Sequence, residues 1–145
     1  MSFFEQSVRA ATNKILVAVN LQCYQIAWEL FTSVVSKTPS PANPGKHAKG
    51  LLANQWYPQE RGASAARGAA TNPSGADSIT RIRAMMNGIE FYDRDGKITL
   101  SNNLDYAVQA ESLGWNPPRW KGTAPYRMVA LSLQATVAKY KKVKI

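Results

Sequence analysis

The chain has 145 residues, with 18 lysines and arginines against 9 aspartates and glutamates, a net charge of +9 and a pI near 9.9. A hydrophobic share of 45% supports one core of ordinary size, hence a single domain over residues 1–145, and excludes global disorder. One cysteine, Cys23, and one histidine, His47, exclude a disulfide scaffold and a Cys/His zinc cluster.

From Phe3 to Lys37, Phe4, Val8, Ala11, Ile15, Val19, Ile26 and Leu30 recur at helical spacing, with Gln22 as a polar break. Trp28, Phe31, Val34 and Val35 widen the stripe near its end. The pattern predicts one long helix, stopped at Thr38-Pro39 because the residue before a proline is pushed out of helical geometry. A stripe of this kind is expected to pack into the core, with Cys23 as a small buried hydrophobe. Its most apolar part, Ile15 to Val35, contains Asn20, Gln22, Gln25 and Glu29, each costly in a bilayer, so no membrane span is expected. Glu5, Arg9 and Lys14 ahead of the brief Ile15–Val19 run do not make a signal-peptide layout, and the protein is expected to stay in the cell that makes it.

Ser40–Gly45 is a loop by its Pro41, Asn43, Pro44 and Gly45. Leu51–Tyr57 has the character of a strand, ended by Pro58. Residues 58–75, dominated by the small and polar stretch from Glu60 to Gly75, lack a large apolar anchor and are expected to form a flexible loop that orders on contact with a partner. Ala76–Asn87 predicts a short helix with Ile79, Ile82, Met85 and Met86 inward and Gly88 as its cap. Ile89–Tyr92 and Lys97–Leu100 flank Asp93-Arg94-Asp95-Gly96, a hairpin signal rather than a calcium loop, since the distal ligands of an EF-hand are missing. Thr123 with Pro125 is a helix start, followed by Tyr126, Val129, Leu133, Val137 and Tyr140 at helical spacing. The fold expected is α+β: long N-terminal and C-terminal helices on a small, mostly antiparallel sheet.

The charge is uneven along the chain. Residues 36–75 carry a surplus of four positive charges, residues 76–111 are acidic by two, and residues 112–145 hold seven bases and no acid. Chemistry-bearing motifs are missing: His47 sits in a basic loop without a nucleophile pattern, and there is no P-loop or G-x-G-x-x-G. No enzyme, cofactor or metal is expected. Trp115, Pro117, Pro118, Arg119, Trp120 and Lys121 form an aromatic and proline loop. Two uses stand open for it: a tryptophan pair closing the core, with Arg119 on a ring, or an anchor between subunits.

The segment Ile98–Val129 resembles the neck or tail-completion protein family of long-tailed bacteriophages, which follows a strand with N-N-L-P-Y-A, then a glutamate and a glycine, then A-P-x-G-M-V-R before a last helix. Asn102, Asn103, Leu104, Tyr106 and Ala107 match the first block, Glu111 and Gly114 the spacer, and Ala124, Pro125, Met128 and Val129 the last. Upstream, Thr38-Pro39, Gly50-Leu51-Leu52 and Trp56 match the ends of T-P-V-D-T-G-x-L-R-x-S-W. Asp105 stands for the family's proline, Arg127 for its glycine, Ala130 and Ala53 for its two arginines, and SPANPGKHAK expands the turn.

The resemblance implies a virion protein of the neck, assembled in the host cytoplasm, forming a ring typically of six copies that joins the DNA-filled head to the tail. Its partners would be further copies of itself and neighbouring head-closure, tail-terminator or tail-tube proteins, with packaged DNA as a non-specific contact. Interface candidates are Trp115, Arg119, Trp120, Tyr126 and Arg127; loop docking or DNA-facing candidates are Arg61 and Arg67; Lys139, Lys141, Lys142 and Lys144 form a basic C-terminal tail, counted over residues 140–145 with the lysine just before it. The rival is a small basic nucleic-acid-binding protein, motivated by the net charge and the Trp, Arg and Lys cluster.

Overall fold

A computed structural model describes residues 2–38, 52–60, 62–66, 75–87, 89, 91, 97–104, 107–112 and 127–141. The first element, α1 (Phe3–Lys37), has the bounds that the sequence predicts. Its start is closed by a capping box: the Ser2 hydroxyl accepts from the Glu5 amide at 3.1 Å, and the Glu5 carboxylate accepts from the Ser2 amide at 2.9 Å. At its end Thr38 turns to extended backbone (φ −71°, ψ 132°), the geometry that the following proline demands.

Next come β1 (Trp56–Glu60), α2 (Ala76–Met86), β2 (Ile98–Asn102), α3 (Ala107–Ser112) and α4 (Met128–Tyr140). The architecture is α+β, as expected, with a two-stranded antiparallel sheet. Ile82, Met86, Leu52, Trp56, Ala110 and Met128 pack around Ala27, Phe31, Val34 and Val35 of α1 to form the core.

Three local expectations are corrected. The strand does not stop at Pro58: it begins at Trp56, runs through Pro58 to Glu60, and so takes residues 58–60 out of the loop assigned to 58–75. Proline is tolerated because a two-stranded sheet has only edge strands, where a missing N–H leaves no ladder bond broken on the outer side. The predicted hairpin is replaced by a longer-range pairing: β2 lies against β1, with Trp56 opposite Asn102 and Glu60 opposite Ile98. Ile89 and Phe91 instead dock on α1, where the Asn20 side chain accepts from the Phe91 amide at 2.6 Å and donates to the Ile89 carbonyl at 3.5 Å. Turn residues 93–96 and the cap Gly88 lie outside the described residues.

The last correction concerns α4. Its described start is Arg127, and Thr123 and Pro125 lie outside the described residues. Its buried face is Met128, Ser132 and Thr136, whereas Val129, Leu133 and Val137 are exposed. The helix is turned by one residue, about 100°, from the expected orientation. The small side chains Ser132 and Thr136 let α4 approach α1 closely, with the Ser33 hydroxyl 3.0 Å from that of Ser132, and larger residues on this face would hold the helices apart.

Candidate protein-docking surface

Side-chain hydrogen bonds between elements hold the scaffold. The buried Thr38 hydroxyl donates to the Val34 carbonyl at 2.7 Å and accepts from the Trp56 indole at 2.9 Å, tying the end of α1 to β1. Ser78, on α2, accepts from the Trp56 amide at 3.0 Å and donates to the Ala53 carbonyl at 2.6 Å. Arg81 donates to the Asn54 carbonyl at 2.7 Å and lies 4.0 Å over the Tyr57 ring. Asn102 donates to the Leu52 carbonyl at 2.9 Å, and Asn103 donates to the carbonyls of Ser64 and Ala66 at 2.7 and 3.0 Å. Part of the expected flexible loop is thereby pinned to the end of β2.

Glu111 belongs to the same group. Its carboxylate accepts from the amides of Val129 and Ala130, both at 3.0 Å, and so caps the first turn of α4. Its own carbonyl accepts from the Arg127 amide at 3.1 Å. Arg127 adopts left-handed backbone (φ 47°, ψ 41°), a conformation that glycine takes up more easily than arginine.

Exposed apolar side chains concentrate elsewhere. All residues from Ser2 to Ile15 are exposed, among them Phe3 (85%), Phe4 (74%), Val8 and Ile15. The amino-terminal part of α1 is an arm that stands off the body. The Phe4–Val8–Ile15–Ile26–Leu30 stripe lies roughly 130° around the helix from the buried Ala27, Phe31, Val34 and Val35. The stripe, expected to be core, is surface over most of its length. Cys23, expected buried, is half-buried and free.

At its carboxy-terminal end the stripe runs into a groove. A hollow of about 290 Å3 is lined by Ile26, Leu30, Leu133, Thr136, Val137 and Tyr140. A narrower one, of about 120 Å3, adjoins it through Leu30 and Leu133 and ends at Val129 and Trp56. Together they form an apolar trough between α1 and α4.

Charges sit at one end of this trough. Lys139 reaches Glu29 at 2.8 Å, bracing α4 against α1. The hydrogen bond from Lys139, and then one from Tyr140, hold the Glu29 carboxyl below its ordinary value, and the same contact with Glu29 holds the Lys139 ammonium above its own. The expected tail lysine Lys139 is therefore a strut on α4, while Lys141 lines the wider hollow.

Of the other interface candidates, Arg127 is exposed at the start of α4, and Trp115, Arg119, Trp120 and Tyr126 lie outside the described residues, as do Arg61, Arg67, Lys142 and Lys144. Sequence reasoning missed the groove. A signal was present for the exposed arm, though not for the groove: a 35-residue helix is about 52 Å long, whereas a compact 145-residue body is only about 38 Å across, so one end of α1 must project. Among the described residues no cluster of His, Cys, Asp and Glu is placed to hold a metal, and no helix is long and apolar enough to cross a membrane. No family model, curated protein or solved structure matches the chain.

Proposed function

We propose that this chain is a structural subunit of a ring in the neck of a long-tailed phage, completing the tail and joining it to the DNA-filled head without catalysis. One observation carries the assembly part of this proposal: among the described residues, Phe3, Phe4, Val8 and Ile15 of α1 and Val129, Leu133 and Val137 of α4 are exposed apolar side chains on a chain that already has a packed core. Uncovered apolar surface of this extent marks a place where another protein belongs. The neck location is supported by the resemblance at Thr38, Trp56, Asn102, Asn103, Glu111 and Met128.

Solution mass measurement and negative-stain imaging test it, with the purified chain alone and with tail-tube and head-closure partners. Closed rings are expected. A monomer that never assembles in either setting would overturn the proposal. Tight binding to short duplex DNA that weakens steeply with salt, in a chain that stays monomeric, would instead establish a nucleic-acid-binding protein.

A further inference from the structure

We propose that the outer edge of β2 receives an extended segment of a second protein, which adds to the sheet as a third strand. This deepens the ring-subunit proposal and rests on it only for the choice of a different protein, rather than another copy, as the occupant.

The register of the sheet decides which backbone groups face outward. The Trp56 amide donates to the Ser78 hydroxyl at 3.0 Å and the Trp56 carbonyl accepts from Arg81 at 3.2 Å, so the Trp56–Asn102 pair exchanges no hydrogen bonds across the sheet. By alternation the same holds for Pro58 with Leu100, where the proline has no N–H to exchange, and for Glu60 with Ile98. The N–H and C=O groups of Ile98, Leu100 and Asn102 therefore point away from β1, in a row with about 6.8 Å between successive members.

The two edges of the sheet are guarded unequally. On β1, Ser78 and Arg81 of α2 take up the outward groups of Trp56, while Pro58 and Glu60 add a proline and a charge, both of which discourage strand addition. On β2, no hydrogen bond among the described residues reaches the outward N–H or C=O of Ile98, Leu100 or Asn102. The strand Ile98–Asn102 has neither proline nor charge, and its pairing with β1 runs without a bulge. A regular edge with none of these guards is a template for another strand.

These groups define the chemistry of the occupant. A row of alternating donors and acceptors at strand spacing is matched by the extended backbone of another chain. The residue of that segment opposite Leu100 would place its side chain about 5 Å from that of Leu100, on the face shared with Trp56. The hollow of about 120 Å3 lined by Leu30, Val129 and Leu133 lies on that face, so the position calls for one apolar side chain of valine or leucine size. The positions on either side, level with Thr99 and Ser101, call for polar ones. A second copy could offer only its own β2 from its described strands, because α2 closes β1, and pairing one β2 edge with the same edge creates a two-fold axis that ends in a dimer. A ring subunit uses heterologous contacts, so the third strand comes from a different protein.

Amide hydrogen exchange tests this, on the isolated chain and on the chain assembled with head-closure and tail-tube partners. In the isolated chain the amides of Ile98, Leu100 and Asn102 should exchange fast beside slow Thr99 and Ser101, and in the assembly all three should slow by about tenfold or more. Slow exchange of all three in the isolated monomer overturns the strand addition. An assembled ring in which they still exchange fast also overturns it and leaves the ring proposal standing. Slow exchange in a dimer of this chain alone assigns the edge to a second copy and overturns the inference. Slow exchange in a one-to-one complex that never closes into a ring supports the strand addition and overturns the ring, and a chain that binds neither partner overturns both. Ile98→Pro removes one outward N–H and leaves the β1–β2 bonds in place, so it should weaken partner binding about tenfold more than Ile98→Ala, which keeps that N–H. Equal effects of the two variants would count against the third strand.

Discussion

The two halves of α1 obey different rules, although they belong to one continuous helix with similar apolar content. In the carboxy-terminal half, Ala27, Phe31, Val34 and Val35 are buried against α2, the sheet and α4, and Thr38 closes the helix by binding Trp56. In the amino-terminal half, Phe3, Phe4, Val8 and Ile15 face solvent, and the capping box at Ser2 and Glu5 secures the end locally. The contrast separates two jobs for apolar residues. One half holds the body together; the other adds nothing to that core and presents its apolar side chains to solvent.

Truncating one isoleucine of the core that the carboxy-terminal half packs into and one of the arm should expose the contrast most strongly. Ile82→Ala removes a side chain with no exposure and should cost about 2–5 kcal/mol in chemical denaturation. Ile15→Ala, at 58% exposure, should stay within about 0.5 kcal/mol when measured on the monomer. Equal losses would mean that the arm is packed in solution.

The body should also be intolerant where backbones approach closely. Gly75 starts α2 in left-handed geometry (φ 77°), and a Cβ there would lie 2.9 Å from the Val35 side chain and 3.1 Å from that of Ala53. Gly75→Ala should lower stability by about 1–3 kcal/mol through strain and displacement of Val35, read as a fall in melting temperature.

Effects at the start of α4 should be smaller and opposite in sign. Glu111→Ala removes the acceptor for two helix amides and should cost about 0.5–2 kcal/mol. Arg127→Gly relieves left-handed strain and should raise stability by about 0.5–1 kcal/mol. Circular-dichroism melts of the two variants check both signs.

The smallest effect belongs to the Glu29–Lys139 strut, which is solvent-exposed and open to screening by salt. The lowered Glu29 value means that its contribution is present above the ordinary carboxylate range and lost as pH falls through the lowered value. The raised Lys139 value means that its contribution is present below the ordinary lysine range and lost as pH rises through the raised value. The melting difference between the parent and Glu29→Gln should therefore be small, confined to the window between these limits, and reduced in 1 M salt. A difference that persists outside the window would assign another role to Glu29.

Much of the fold was legible because it depends on neighbours in sequence. The bounds of α1 follow from helical spacing and from Thr38-Pro39, and α2 follows from Ile79, Ile82, Met85 and Met86. The hairpin expectation failed because the turn chemistry around Asp93 is local, whereas the partner of β2 is Trp56–Glu60, some forty residues earlier, chosen by what the core leaves open. The groove was missed for the same reason. The stripe on α1 and the Val129–Leu133–Val137 series on α4 have the spacing of core faces, and spacing shows that a face is apolar without showing what covers it.

Sequence alone therefore determined the class of this protein, the extent of its longest helix, the uneven charge and the residues on each helical face, because caps, prolines and periodicity act within a few residues. Only the tertiary structure decided which face of each helix is buried. Burial is settled by the closest mutual packing of all the elements, and here the small Ser132 and Thr136 win the contact with α1, leaving the larger Leu133 and Val137 on the surface beside Ile26 and Leu30.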